Sequence, residues 1–292
     1  MKNILITGAD SYIGTSFVAY CTLNFPETYR IDTVDMRDPS WEGKDFSSYD
    51  CVFHVAGIAH AMTRKPTPEQ EQQYRQVNTE LAYKTACKAK ADGVSQFVFM
   101  STMAIFGDSA PIGRQKVITR DTPIAPSSVY GRSKAEAEEL LRPLACEAFC
   151  LSIIRPPMVY GRGSKGNYPL LAKFADSLPL FPKVNNQRSM IYIENLCEFI
   201  RLVIDNEDGG TFHPQNAEYT NTSDMVAEIA KAHGKRIRLV RGFTWLLRLA
   251  SLFTKLVNKA FGNLAYSEDI SQYKMPYVRY SLEESIERSE RA

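Results

Sequence analysis

Short, unbroken apolar runs alternate with longer mixed segments through the first half of the chain. Residues 3–7, 51–55, 96–100 and 150–155 are runs of five or six residues, rich in Ile, Val, Leu and Phe, and 31–35 is a more polar second strand. Runs of that length read as strands buried on both faces. Between them, 14–23, 69–91 and 130–141 space their apolar positions as helices do. Repeated strand–helix alternation predicts an α/β fold, a doubly wound parallel sheet of Rossmann type. Segment 38–50 is too short for a further helix plus strand, so one repeat is expected to shrink to a loop or a scrap of edge strand.

The pattern changes after residue 160. A glycine-rich loop at 162–167 precedes a helix ending at Ser177, a turn rich in proline at 178–183, and a strand-like stretch at 187–193. Helices over 194–205 and 222–233, the second capped near Asn221, and a strand over 236–240 follow. The expected division is a dinucleotide-binding domain over 1–159, with a return near 188–213, and a smaller α+β substrate lobe over 160–292. The helix from Leu282 mixes acids and bases and reads as a solvated face. Between Phe243 and Phe261, Trp245, Leu249, Leu252, Phe253, Leu256 and Ala260 fall on one side of a helix. Arg248, Ser251, Lys255 and Lys259 fall on the other. Such an apolar face is expected to pack on its own domain or on a second copy; lying on a membrane surface is the alternative.

The turn after the first strand carries the first chemistry. Gly8-Ala-Asp-Ser-Tyr-Ile-Gly14 leads from strand to helix, the context in which glycine spacing signals dinucleotide binding. Gly8 permits a tight turn close to a pyrophosphate, Gly14 permits close helix–strand packing, and the helix N-terminus offers amide donors. Ser11 stands where the middle glycine is usual and is small enough to keep the turn. Asp35, at the end of the second strand, is placed for the adenosine ribose hydroxyls. Its charge would repel a 2'-phosphate, which favours NAD over NADP; Arg37 counts against that preference.

Tyr130 and Lys134 lie four apart at the start of a strong helix former, hence on one face about one turn apart. A phenol titrates near ~10 and is a poor base at neutral pH. A neighbouring ammonium is expected to lower that value and make the pair an acid/base for an alcohol or ketone. Ser101 and Thr102 follow the fourth strand at its carboxyl end, where open α/β sheets bind ligands.

Composition narrows the partners. With 44% hydrophobic and 23% charged residues the chain is an ordinary globular mixture, and a net charge of +2 gives no reason to expect nucleic acid. The six cysteines and four histidines show no ligand spacing, so neither a metal nor disulfides are expected. His54 reads as a satisfied core histidine. The N-terminus lacks a signal-peptide pattern, and a cytoplasmic location is expected.

In order, Thr7-Gly8 to Gly14, Asp35, His54-Val-Ala-Gly57, Asn78, Ser101-Thr102, Tyr130-x-x-x-Lys134, Arg155-Pro-Pro and Arg188 resemble the extended short-chain dehydrogenase/reductases. Within them, 163–195 looks most like the UDP-hexose 4-epimerase and 4-ketoreductase branch linked to surface polysaccharides. The resemblance implies that Tyr130 exchanges a proton with a sugar hydroxyl, that Lys134 holds the nicotinamide ribose, and that Thr102 binds the reacting oxygen. Gly8, Ser11, Tyr12, Ile13 and Gly14 would cradle the pyrophosphate of NAD. Asp35, Met36, Val55, Ala56, Gly57, Asn78 and Pro157 would line the rest of it. On the substrate side the resemblance implies Thr102, Met103, Met158, Asn167 and Arg188, the last two at a nucleotide diphosphate. Met158 replaces the asparagine usual in galactose epimerases.

Relatives that expel water follow the threonine with Asp-Glu, whereas Met103 and Ala104 stand here and move no proton. What the resemblance then implies is epimerisation at C4 of a UDP-hexose through a 4-keto sugar, in a homodimer. Reduction of a UDP-4-keto-6-deoxyhexosamine with NAD(P)H is the alternative, and a non-catalytic NAD-binding regulator the second.

Overall fold

The computed structural model describes residues 1–59, 66–253 and 255–291. They form two compact units. The first is Met1–Gly107, Ile124–Pro156 and Cys197–Pro214; the second is Asp108–Pro123, Pro157–Leu196 and Gln215–Ala292. Residues 108–123 thus belong to the second unit although the chain around them belongs to the first.

In the first unit, β1 (Lys2–Thr7), β2 (Tyr29–Val34), β3 (Cys51–His54) and β4 (Gln96–Met100) join the strands Cys150–Ile154 and Gly210–Phe212. The sheet is parallel throughout, in the order Gly210–Phe212, Cys150–Ile154, β4, β3, β1, β2. The expected doubly wound α/β sheet is therefore present. Ile4 to Ile6 and Phe97 to Phe99 are wholly buried, as a sheet covered on both faces requires. On one face lie α3 (Leu81–Ala91) and α4 (Val129–Leu141), whose Ala82, Ala86, Ala89, Ala137 and Leu141 enter the core. On the other, Phe17 of α1 (Tyr12–Asn24) meets Phe53 edge-on at 5.4 Å.

The shortened repeat is a loop with one 3-10 turn, Pro39–Gly43, and β2 is left as the edge strand. Trp41, Phe46 and Tyr49 from this stretch are buried against the sheet, filling the place a helix would take. Strand order reverses between β1 and β3, and the cleft outside their carboxyl ends is where such sheets bind ligands.

The expected long helix over 69–91 is real but interrupted. α2 (Pro68–Arg75) passes into a π turn at Gln76–Glu80 before α3 begins.

The second unit is α+β. Met158–Tyr160 pairs with Met190–Tyr192, and α5 (Tyr168–Ser177) and α7 (Thr222–Ala232) belong to this unit, with α6 (Ile193–Asp205) between them in the chain. Two expectations are corrected. The turn at 178–183 contains a strand, Leu180–Pro182, which pairs with Arg238–Val240 because its backbone finds a partner 58 residues on. The C-terminal helix, Leu282–Glu290, is not solvated all round: Ser285, Ile286 and Ser289 are buried, and Ser285 Oγ meets Tyr160 Oη at 2.7 Å.

Candidate active site

The chain turns sharply at the end of β1. Gly8 has φ +100°, and a Cβ there would stand 2.8 Å from the Ala56 nitrogen. Only glycine serves, because a side chain meets both the left-handed region and a neighbouring backbone. Ser11 caps α1, its Oγ accepting from the Gly14 N–H at 3.1 Å. A Cβ on Gly14 would crowd that oxygen and Ile6 Cγ2, at 2.6 and 3.2 Å. The serine in the middle-glycine place thus supports the helix start. Tyr12 is the next residue; its hydroxyl is buried without a partner among the described residues.

Asp35 follows β2 and is held by Arg37, whose Nε and Nη2 donate at 2.9 and 2.8 Å. Arg37 Nη2 also donates to Asp10 at 2.6 Å. Hydrogen bonds from Arg37 keep the Asp35 carboxyl below its usual range. Met36 was expected at the cofactor, but its side chain is buried in the core with Leu5 and Trp41; the apolar chain is worth more there.

Gly57, Asn78 and Lys134 converge at the end of β3. A Cβ on Gly57 would stand 2.9 Å from Asn78 Oδ1 and 3.3 Å from Lys134 Nζ. Asn78, wholly buried in the π turn, accepts from the Ile58 N–H at 2.8 Å and donates to Ile58 O and to Ser133 Oγ. A π turn places one extra residue per turn, a recurrent device for turning a side chain into a site. Ala56 is buried beside Gly57, and Val55 donates its N–H to Thr7 O.

Thr102, Tyr130 and Lys134 come together as expected, but their electrostatics do not. Thr102 starts the turn Met103–Phe106 and hydrogen-bonds the Tyr130 side chain. Burial pushes the Tyr130 phenol up; the Thr102 hydrogen bond opposes this and Tyr74 adds to it. Lys134, only 4% exposed, donates to Met100 O at 2.9 Å and lies 4.5 Å above the Phe99 ring. Burial lowers its ammonium to about 7, against an opposing pull from Glu138. The expected lowering of the phenol by the ammonium is not seen: burial raises Tyr130, and the opposing pull comes from Thr102. Positive charge brought into the cleft would shift Tyr130 toward phenolate. Met103, expected beside a substrate, is 5% exposed, with its N–H on Pro156 O at 2.9 Å.

Sequence reasoning passed over Glu138. It is buried on α4 one turn beyond Lys134, accepting from Ser101 Oγ at 2.5 Å and from Arg155 Nε at 3.0 Å. The recurrence Tyr130, Lys134, Glu138 at four-residue intervals was the available signal.

His54 is buried as expected. Its Nδ1 meets Thr7 Oγ1 at 2.7 Å, its ring stacks near Phe97 and Phe99, and Nε2 has no partner among the described residues. Burial, with Lys134 nearby, lowers its pKa to about 3. The unfolded chain therefore binds a proton near pH 6.5 that the folded protein refuses down to about 3. Stability from this residue is present above that window and is lost as pH falls through it, by about 1.4 kcal/mol per unit. His54→Gln should show a smaller drop in urea midpoint between pH 7 and pH 4.5 than the parent; equal drops would refute the assignment.

The remaining expected residues lie in the second unit. Pro157 is buried, Met158 pairs with Met190, and Asn167 precedes α5 without a side-chain cap bond. Arg188 is buried, donating to Gly262 O at 3.0 Å, with no carboxylate in ion-pair range among the described residues; burial lowers it to about 10.

Residues 4–216 match the family model described as NAD dependent epimerase/dehydratase. The chain belongs to that family. Among relatives of this epimerase/dehydratase, a UDP-glucose 4-epimerase of Vibrio cholerae is 31% identical over 89% of this chain and 83% of the relative. An N-acetyl-α-D-glucosaminyl-diphospho-undecaprenol 4-epimerase of Escherichia coli O157:H7 is 27% identical over 80% and 73%. A Bacillus cereus UDP-glucuronic acid 4-epimerase solved with NAD has the same fold, with TM-score 0.71, 17% identity and coverage of 98% and 95%. So does a Bacillus anthracis dTDP-4-dehydrorhamnose reductase solved with NADP, with TM-score 0.70, 17% identity and coverage of 99% of each chain.

The residues present fit the family's cofactor. A Cβ-free approach at Gly8 and Gly57, a capped helix N-terminus at Tyr12, and an acid at Asp35 are what a dinucleotide needs.

Proposed function

We propose that this epimerase/dehydratase inverts C4 of a UDP-hexose, of the glucose/galactose or the N-acetylated pair, with NAD as resident cofactor. The observation that carries the reading is the Thr102–Tyr130 hydrogen bond beside Lys134, with Met103 and Ala104 next in the chain. This set relays one proton and holds no second acid/base group to expel water. Bound NAD supplies the hydride acceptor and donor. As the phenolate, which positive charge in the cleft favours, Tyr130 would accept the proton of the C4 hydroxyl and return it after the face changes, and Thr102 would hold the reacting oxygen. Gly8, the N-terminus of α1, Asp35, Ala56, Gly57 and Asn78 hold the dinucleotide. Asp35 favours NAD: its acid accepts from ribose hydroxyls and repels a 2'-phosphate, although Arg37 occupies part of it. Arg188 supports the diphosphate, since a buried guanidinium without a carboxylate is a ready partner for that anion.

The relative from Vibrio cholerae supports epimerisation. The reductase fold neighbours keep the single reduction of a UDP-4-keto-6-deoxyhexosamine as the second reading, because it uses the same three groups. Mass spectrometry of the nucleotide co-purifying with the protein, followed by incubation with UDP-galactose and UDP-N-acetylgalactosamine, separates them. Bound NAD and conversion to the C4 epimer are expected. Protein without NAD that leaves these sugars unchanged, yet oxidises NADH with the 4-keto sugar, would overturn the epimerase reading in favour of the reductase.

A further inference from the structure

On this chain the described large side chains of the apolar face expected to pack on its own domain or on a second copy stand exposed. In the helix Thr244–Phe253, which we label α8, Trp245 is 68%, Leu249 48% and Leu246 43% exposed, and Phe243 just before it 47%. Trp245, Leu246 and Leu249 fall within one side of the helix, at the spacing of neighbouring turns. The side chains of Leu252, Phe253, Lys255, Leu256 and Lys259, also part of that expectation, lie outside the described residues; Ala260, in the following helix Lys255–Phe261, is half-buried.

The charge along this stretch of the chain is one-sided. From Glu228 to Glu268 no acidic residue intervenes, while eight lysines and arginines do, in a chain that otherwise balances 35 bases against 33 acids. Lys231 and Lys235 are committed to Glu283 and Asp176. Arg238, Arg241 and Arg248 are exposed near the apolar side chains in sequence.

We propose that α8, with its Arg248 and the preceding Arg238 and Arg241, seats the second unit on an anionic bilayer surface. Trp, Phe and Leu on one side with arginine beside them is the make-up of a helix that lies in the headgroup boundary. Tryptophan is favoured there because its ring is apolar and its N–H stays wet. A second copy fits less well. A two-fold contact sets the same patch against itself, and would press one set of arginines on another. A nucleic acid would satisfy the arginines and leave Leu246 and Leu249 in water. No helix of the described residues is long and apolar enough to span a membrane, so the contact is peripheral.

The full chain is mixed with vesicles of phosphatidylcholine alone, and of phosphatidylcholine with phosphatidylglycerol, and sedimented. Binding to the anionic vesicles should be at least about tenfold tighter and should weaken in high salt, as screened charges do. Trp41 is 5% exposed and Trp245 is the other tryptophan, so an emission shift to the blue reports burial of α8. Trp245→Ser with Leu249→Ser should abolish sedimentation and the shift. Arg241→Gln with Arg248→Gln should reduce binding to the level of neutral vesicles. Equal binding to both vesicle types, or to neither, overturns the proposal. So does light scattering that shows the Trp245→Ser, Leu249→Ser protein dissociating from a dimer, which would make a second copy the occupant. None of these readings needs turnover, so they stand apart from the test of the epimerase reading.

Discussion

Replacing Tyr130 with phenylalanine should lower turnover of the sugar nucleotide by about 10²- to 10⁴-fold, the contribution of one positioned proton-transfer group. The substitution keeps the ring and removes one oxygen, the atom hydrogen-bonded to Thr102. Lys134 would keep its bond to Met100 O and its place over Phe99. Folding and uptake of NAD should therefore survive while the rate collapses. The decisive comparison is turnover against bound nucleotide in the same preparation. A Tyr130→Phe protein that holds NAD and turns over at the parental rate would remove Tyr130 from the chemistry. Loss of NAD together with rate would show instead that the hydroxyl acts in binding.

Glu138→Ala should destabilise the fold by about 3–5 kcal/mol, as removal of one partner of a buried ion pair does. The carboxylate side chain is 1% exposed and the Arg155 side chain 8%. Glu138 takes both forks of that guanidinium, at 3.0 and 2.5 Å, the Ser101 hydroxyl at 2.5 Å and Arg142 Nη2 at 3.0 Å. Alanine would leave the Arg155 charge buried without its carboxylate, along with a stranded hydroxyl. Double substitution to Glu138→Ala with Arg155→Met should recover part of the loss, since it removes the uncompensated charge. Urea unfolding of the three proteins reads this directly. A single-variant loss under about 1 kcal/mol would mean that water reaches the pair and that the network is not a keystone of α4.

Much of this was legible in the chain because it rests on local rules. An apolar run such as 96–100 can bury both faces only as an inner strand, and β4 is that run to the residue. Tyr130 and Lys134 share a helix face by spacing alone, and Ser128 before them is a good cap, its Oγ accepting from the Gly131 N–H at 3.0 Å. Gly8 and Gly14 stand where a turn and a close crossing need them.

Other features depend on partners far along the chain. Glu138 looks like any helix-forming acid until Arg155 and Ser101 arrive from two strand ends to bury it. The π turn at Asn78 breaks no sequence rule, and its bonds run to Ile58 and Ser133. Burial, a property of the assembled unit, reversed the expected direction at Tyr130 and drew Met36 into the core. It also left Trp245, Leu246 and Leu249 of α8 exposed on this chain, where periodicity gave their shared side but not what covers it. Spacing along the chain determined the sheet, the glycine turn and the paired tyrosine and lysine. How much water each charged or apolar group keeps was decided only by tertiary packing, because solvation depends on everything that surrounds a side chain and not on its neighbours in sequence.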